Sequence, residues 1–473
     1  MIYHTADTIV ALSTPPGSGA IAVIRLSGSK AFNIVQSVFK GKKLDAQVSH
    51  SIHFGKIVTL EQEVLDEVLV SVFKAPNSYT KEDVIEISCH ASPYIIQSLL
   101  DLLVAQGARL ARAGEFTQRA YLNGQFDLSQ AEAVADLIAS ESKGAHELAM
   151  QQMRGGISKA IKKLRQELID FASLIELELD FGEEDVEFAN RDALKKTVQE
   201  IQDFIARLLQ SFQLGNAIKN GVNTVIAGRP NAGKSTLLNA LLNENRAIVS
   251  DIAGTTRDTI EEVLNIKGVA FRLIDTAGIR AAQDQIEAIG VAKTMEKIEQ
   301  SAILLYVFDV IETPPEAVAE DLKKLIAQQS SAQTSAPSLL LVANKMDLNP
   351  YTKWEHYEKQ LAIGDLQLAK SQFIPISAIN KMNVAYLKES LHRTVVQEEI
   401  SSNVILSNTR HVAALRKAQT SLDAVTNGLA TGITSDFIAM DIRQALYHLG
   451  EIIGEVSSDD LLGNIFGRFC IGK

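Results

Sequence analysis

From the N-terminus to about residue 120, short apolar runs alternate with polar positions at a period near two, the spacing of half-buried strands. TIVALST and AIAVIRLSG flank the turn PPGSG, and SIHFGKIVT, EVLVSVFKA and DVIEISCH are three further strand candidates. SKAFNIVQSVF and SPYIIQSLLDLLVAQG have helical spacing instead. The period changes near Phe126. Asp127 is placed to cap a helix in which Leu128, Ala131, Val134 and Ile138 share one face, and Ile157, Ile161, Leu164, Leu168 and Leu174 continue at helical spacing. Long helices are expected to about residue 215, interrupted at FGEEDVEF, where Glu183, Glu184 and Asp185 read as a solvated loop rather than as metal ligands. From 221 to about 385 the apolar runs NTVIAG, FRLIDTAG, AILLYVFD, SLLLVANK and FIPISA alternate with helical stretches, the pattern of a doubly wound, mostly parallel sheet. Gln328 to Pro337, rich in Ser, Gln and Ala, reads as a surface loop. After about 390, HVAALRKAQTSLDAVTNGL and SDFIAMDIRQALYHLGEIIG are amphipathic.

These patterns predict α/β plus all-α architecture: an α+β domain over 1–120, a first helical part over 121–219, an α/β domain over 220–390, and a second helical part over 391–473. The two helical parts are expected to form one domain with the α/β unit inserted between them. A length of 473 residues exceeds what one core supports. The net charge of −11 signals no large nucleic-acid-binding face, though it leaves room for a local basic patch. Two cysteines, Cys89 and Cys470, make no disulfide framework and fit a reducing compartment. MIYHTADTIVALSTPPGSG does not read as a signal peptide, and no apolar run reaches spanning length, so a soluble, cytoplasmic protein without a membrane association is expected.

The chemistry concentrates in the third stretch. Gly228-Arg-Pro-Asn-Ala-Gly233-Lys234-Ser235 fits GxxxxGK[ST] between a strand and a helix, the context that pattern requires. Its glycines let backbone amides, including those of Asn231, Ala232, Gly233 and Thr236, curl toward phosphate oxygens. Lys234 brings a cation to the β and γ phosphates, and the Ser235 hydroxyl can ligate Mg2+. Asp275-Thr276-Ala277-Gly278 closes an apolar strand, placing a carboxylate at the magnesium shell and an amide at the γ-phosphate. Asn344-Lys345-Met346-Asp347 ends another strand, where a carboxylate can accept two hydrogen bonds that guanine offers and adenine does not. Ser377-Ala378 suits a backbone contact to the guanine oxygen. Together these four elements read as a GTP site. Between the first two lies Ser250-Asp251-Ile252-Ala253-Gly254-Thr255-Thr256, a switch candidate in which Thr256 is assigned the second magnesium contact. Ras-like enzymes carry a water-orienting glutamine directly after the DTAG element; here that position is Ile279, and Glu287 is the candidate in its place.

Over its whole length the sequence resembles the MnmE (TrmE) family, through PPGSGAIAVIRLSG, YTKEDVIEI, RAGEFTQRAYLNGQFDLSQAEA, GRPNAGKST, DIAGTTRD, DTAGIR and the closing Phe469-Cys470-Ile471-Gly472-Lys473. The resemblance implies an N-terminal domain of folate-binding type that forms a homodimer and holds a tetrahydrofolate derivative, 5-formyl- or methylene-tetrahydrofolate. It maps that contact to Arg25, Glu82, Lys473 and position 125, where Gln125 replaces the family's usual lysine. It implies K+ beside the phosphates at Asn231, Ser250, Ile252 and Thr255, a catalytic Glu287, and a Cys470 presented near the folate. It further implies an FAD-dependent partner, MnmG, joined in a heterotetramer that adds an aminomethyl or carboxymethylaminomethyl group to carbon 5 of the tRNA wobble uridine. Two other readings compete: a ribosome-assembly GTPase similar to Era or EngA, and a folate-dependent one-carbon transferase with a regulatory GTPase insert. The tail adds a local argument, since Lys473 beside Cys470 would favour its thiolate and Phe469 and Ile471 offer apolar docking groups.

Overall fold

A computed structural model describes residues 7–180, 191–242, 261–275, 301–327, 337–361, 368–395, 404–456, 459–467 and 469–472. The chain divides into two compact units, one of Met1–Ile138, Met150–Ile205 and Arg410–Lys473, the other of Ala139–Ala149 and Ala206–Thr409.

The first unit contains a seven-stranded sheet. Its strands are β1 (Ile9–Leu12), β2 (Ile21–Ser27), β3 (Phe39–Lys40), β4 (Ser51–Val58), β5 (Val64–Phe73), β6 (Val84–His90) and β7 (Arg109–Leu110), in the spatial order β3-β4-β5-β6-β2-β1-β7. All neighbours are antiparallel except β1 and β7. Alternation buries Ile24 and Leu26 of β2 with Val68, Val70 and Val72 of β5 under the helices Ala31–Val38 and Pro93–Ala105. The sequence pattern anticipated both helices. It missed Glu115–Leu122, where Glu115, Thr117, Gln118 and Arg119 are buried alongside Phe116 and Ala120, so buried and apolar positions do not coincide as periodicity requires.

The helical part of this unit also departs from a purely apolar pattern. Asp127 caps Leu128–Ile138 reciprocally: its carboxylate accepts the Gln130 amide at 3.0 Å, and the Gln130 side chain accepts the Asp127 amide at 3.0 Å. Ile138, expected on the buried face, is exposed, while Glu132 is buried. Glu132 is tolerated because Arg410 pairs with it at 2.8 and 2.9 Å and His411 Nε2 lies 2.9 Å from it. Burial pushes its carboxyl upward, but His411 and Arg410 outweigh that and bring it down to about 2. In Gly156–Asp180 the buried stripe is Ile157, Ile161, Leu164, Leu168, Ala172 and Ile175. Leu174 is exposed instead, since 3.6 residues per turn carry the stripe from 168 to 172 and 175. The acidic run at Glu183, Glu184 and Asp185 lies outside the described residues.

The second unit is built on a six-stranded sheet of β8 (Val222–Ala227), β9 (Glu261–Ile266), β10 (Val269–Asp275), β11 (Ile303–Asp309), β12 (Ser338–Asn344) and β13 (Phe373–Pro375). The order is β13-β12-β11-β8-β10-β9, parallel throughout except for the β9–β10 hairpin. Helices cover both faces, so the central strands are buried on both sides and read as continuous apolar runs. The doubly wound fold expected from the sequence is present. The hairpin partner EEVLNI was missed because its acidic start does not look like a strand. The turn of this hairpin is held within the unit by Ser142, whose hydroxyl donates to the Gly268 carbonyl at 3.1 Å. The insert's two ends also meet. The Leu406 amide donates to Ser211 Oγ at 3.0 Å, and a Cβ on Gly215 would fall 2.1 Å from the Leu406 carbonyl oxygen.

Candidate functional site

In a doubly wound sheet, ligands bind beyond the carboxyl ends of the strands where the strand order reverses. β8 is that point, since the chain continues to β10 on one side and later returns to β11 on the other. The loop after β8 adopts backbone angles that glycine permits, with φ of +148° at Gly228 and +90° at Gly233, and it also places Asn231 at +62°. The helix Lys234–Leu242 then begins, so its N-terminal amides face the loop. Lys234 is buried, and its Nζ donates to the carbonyls of Gly228 and Arg229, each at 2.9 Å. Ser235 and Thr236 are exposed on the first turn.

The residues expected to read the base follow β12 and β13. Asn344 ends β12. Its Nδ2 donates to the Ala232 carbonyl at 2.8 Å, and its Oδ1 accepts the Ala378 amide at 3.0 Å. One buried side chain therefore ties the phosphate loop to the segment after β13. Gly233 approaches so closely that a Cβ there would lie 2.2 Å from Asn344 Nδ2. Asp347 is exposed, with its Oδ1 accepting the Ser377 hydroxyl at 2.6 Å. Asn231 to Thr236, Asn344, Lys345, Asp347, Ser377 and Ala378 thus line one edge of the sheet, on the loops that follow β8, β12 and β13. Asp275 ends β10, in register with Ile226 of β8. The side chain of Asp275 and residues Thr276, Ala277, Gly278, Glu287 and Ser250 to Thr256 lie outside the described residues.

Sequence reading missed two carboxylates that hold this constellation. Asp309, at the end of β11 and in register with Asn344, accepts Lys345 Nζ at 2.6 Å and the Ile311 amide at 2.8 Å. Burial alone would raise its carboxyl, but these bonds keep it below the usual range. Asp321, in the helix Pro315–Ala327, receives Arg229 Nε at 2.7 Å and Nη2 at 3.0 Å. It also accepts the Tyr306 hydroxyl at 2.5 Å. Against the upward push of burial, Arg229 and Tyr306 hold Asp321 low, while burial and Asp321 drive the Tyr306 phenol upward. The only hint in the sequence was a polar residue inside or closing an apolar run.

A second set of expected residues lies in the first unit. Arg25, on β2, pairs with Glu86, opposite it on β6, at 2.8 Å. Its guanidinium lies 5.5 Å from the Tyr79 ring centroid and 5.7 Å from that of Phe116. Tyr79 also packs against Phe126, the neighbour of Gln125, with centroids 5.8 Å apart. Glu82 accepts the Ser27 hydroxyl at 2.6 Å and Arg119 Nη1 at 3.2 Å. Gln125 is exposed, and Lys81 Nζ donates to the adjacent Gly124 carbonyl at 2.8 Å. The tail runs beside this group. The Gly114 amide donates to the Cys470 carbonyl at 3.4 Å, and the Gly472 carbonyl accepts Ser13 Oγ at 3.2 Å and Arg25 Nη1 at 3.5 Å. Phe469 is buried against Phe466, but Ile471 is exposed, so one of the two apolar docking groups is replaced by a backbone bridge between Ile471 and Ala113. Cys470 is exposed. Cys89 is buried, which pushes its thiol up to about 11. Lys473 lies outside the described residues.

Comparison with known proteins places both stretches of the chain in one family. The family model for the MnmE helical domain matches residues 128–470, and that for the GTP-binding protein TrmE N-terminus matches residues 8–125. A protein of Cytophaga hutchinsonii named tRNA modification GTPase MnmE is 53% identical over 471 residues, covering 99% of this chain and 98% of the relative. Proteins of the same name from Flavobacterium psychrophilum and Bacteroides thetaiotaomicron are 52% and 48% identical, with coverage of 100% and 99% of each chain respectively. With both family models matched in order and this similarity end to end, the chain belongs to the MnmE family.

Proposed function

We propose that this chain is a K+-dependent GTPase. With the FAD-dependent partner MnmG, it would add an aminomethyl or carboxymethylaminomethyl group to carbon 5 of the tRNA wobble uridine, using a one-carbon tetrahydrofolate. The observation that carries the GTP reading is the linkage made by Asn344, which brings the phosphate loop and the base-reading segment to one edge of the sheet. Lys234 would turn from the loop carbonyls to the β and γ phosphates, and Asp347 would read guanine beside Ser377 and Ala378. Ser235, exposed beside Lys234, suits one position of a magnesium shell, with Thr256 supplying the second hydroxyl. Asn231 is exposed at the loop, its amide oxygen would suit K+ as a ligand, and Ser250, Ile252 and Thr255 would complete that site. When bound, the two cations offset the charge that grows on the phosphates. With no glutamine after the DTAG element, Glu287 would orient the attacking water.

In the first unit, Arg25 beside Tyr79 and Phe116 forms a cation-and-aromatic surface suited to a flat heterocycle, and Arg119 holds Glu82 ready to accept hydrogen bonds. Lys81 brings an ammonium group beside Gln125. Lys473 and Cys470 would complete this second site from the docked tail. Homodimer formation and a cytoplasmic location belong to the same proposal; among the described residues no helix is long and apolar enough to cross a membrane.

Two measurements test the reading. Nucleosides of tRNA from a strain lacking the gene should lose the wobble-uridine modification and regain it on complementation; intact modification in the deletion strain would overturn the role in tRNA. GTP turnover should fall strongly when Na+ replaces K+, and Glu287→Ala should slow turnover while GTP still binds. Equal rates in the two salts would remove K+ from the mechanism.

A further inference from the structure

β11 carries none of the nucleotide motifs, yet the phosphate loop rests on it. Gly228, the first residue of the loop, lies so near the strand that a Cβ would fall 2.0 Å from the Val307 carbonyl oxygen. One residue later, the Arg229 guanidinium forms a two-pronged pair with Asp321 at 2.7 and 3.0 Å. Asp321 is held in turn by the hydroxyl of Tyr306, a β11 residue that is 2% exposed. A buried phenol requires a polar partner, and this one fixes a carboxylate rather than a backbone group. The Arg229 carbonyl receives Lys234 Nζ at 2.9 Å. A continuous path therefore runs from Tyr306 through Asp321 and the Arg229 side chain to the backbone at the start of the loop.

The geometry points to Asp321 and Tyr306 as positioning residues for phosphate binding, acting through Arg229 on the entrance of the loop. This rests on the proposal that the loop is a GTP site. It gives Arg229 a task other than contacting phosphate, because its Nε and Nη2 are both engaged by Asp321. Ordinary surface ion pairs contribute little. Here the arginine is 45% exposed, but the carboxylate is only 20% exposed, the pairing is bidentate, and a buried third group fixes its orientation.

The test uses the full chain, titrated with a fluorescent GDP analogue and assayed for GTP turnover. Asp321→Asn keeps the size and removes the charge; it should raise the GDP Kd and the GTP KM together, about five- to twentyfold, with kcat little changed, as expected for loss of uniform binding. Tyr306→Phe keeps the ring in the core and should act in the same direction more weakly. Preference for GTP over xanthosine triphosphate should not move in either variant, since the Asp347 segment is untouched. In a double-mutant cycle, Arg229→Ala combined with Asp321→Ala should cost little more than either alone. Wild-type Kd and KM in Asp321→Asn, additivity in the cycle, or a fall in kcat at unchanged KM would each overturn the assignment. Failure of the unaltered chain to bind GDP would bring down the site reading as well, whereas an indifferent Asp321→Asn beside normal wild-type binding refutes the positioning role alone.

Discussion

Replacing Asn344 by alanine should uncouple the two halves of the nucleotide site. The substitution removes the 2.8 Å bond to the Ala232 carbonyl and the 3.0 Å bond from the Ala378 amide, among three residues that are all buried. Loss of the bond to Ala232 costs about 1 kcal/mol, and the buried Ala378 amide left without its acceptor costs ~1–3 kcal/mol more. The β12–β13 register should persist, because the Ile376 amide still donates to the Ala343 carbonyl at 2.8 Å and the Met346 amide to the Ile376 carbonyl at 3.1 Å. What is lost is the registration of the phosphate loop against that segment. Guanine nucleotides need both at once, so most of a total of ~2–4 kcal/mol should appear in binding, a rise in Kd of about 30- to 700-fold at 1.4 kcal/mol per decade. Titration of the full chain with a fluorescent GDP analogue reads this directly, and melting without nucleotide separates any loss of stability. A wild-type Kd in a normally folded Asn344→Ala chain would refute the reasoning.

Asp347→Asn should weaken GTP and favour xanthosine triphosphate, measured by competition; unchanged GTP affinity would remove Asp347 from base reading. Glu132 has its carboxyl lowered from 4.5 to about 2, so its contribution is present above pH ~5 and lost as pH falls toward 2, with a ceiling of about 3 kcal/mol. Thermal melts of Glu132→Gln should therefore show reduced stability at pH 7 and a flatter acid limb than the parent; superimposable melts from pH 7 to pH 3 would contradict the buried pair. Cys470→Ser should preserve GTP turnover and folate binding but abolish tRNA modification, and full modification would leave the cysteine a packing role. Gly472→Ala should undock the tail, because φ is +97° and a Cβ would fall 2.2 Å from the Leu12 carbonyl oxygen; unaltered protease resistance of the tail would count against this.

The nucleotide loops were legible because each is a contiguous run whose spacing is fixed by backbone geometry. GRPNAGKS and NKMD need only a strand before them to be interpreted. The groups that hold those loops are not contiguous. Arg229 and Asp321 are 92 residues apart, and Glu132 and Arg410 are 278 apart, so no local period reveals either pair. The same limit explains Glu115–Leu122, whose buried Glu115 and Arg119 are held by ion pairs that apolar spacing cannot register. Leu174 and Ile138 failed for different reasons. Leu174 is six residues beyond Leu168, which at 3.6 residues per turn is about a third of a turn off the buried face, whereas Ile138 keeps the spacing of Ala131 but is the last residue of its helix.

The contact of Leu406 with Ser211 and Gly215 has a consequence for how this chain folds. The insert Ala206–Thr409 separates the segment ending at Ile205 from the one starting at Arg410 by roughly 200 residues. Joining those segments while the intervening chain is still unfolded means closing a loop of that length, an entropic cost of about 5 kcal/mol. A folded insert removes most of that cost, since its own packing brings its two ends side by side. Order in the nucleotide-binding sheet is thus a precondition for economical assembly of the helices encoded on either side of it. Mutations that melt the sheet should slow the maturation of the helices as well.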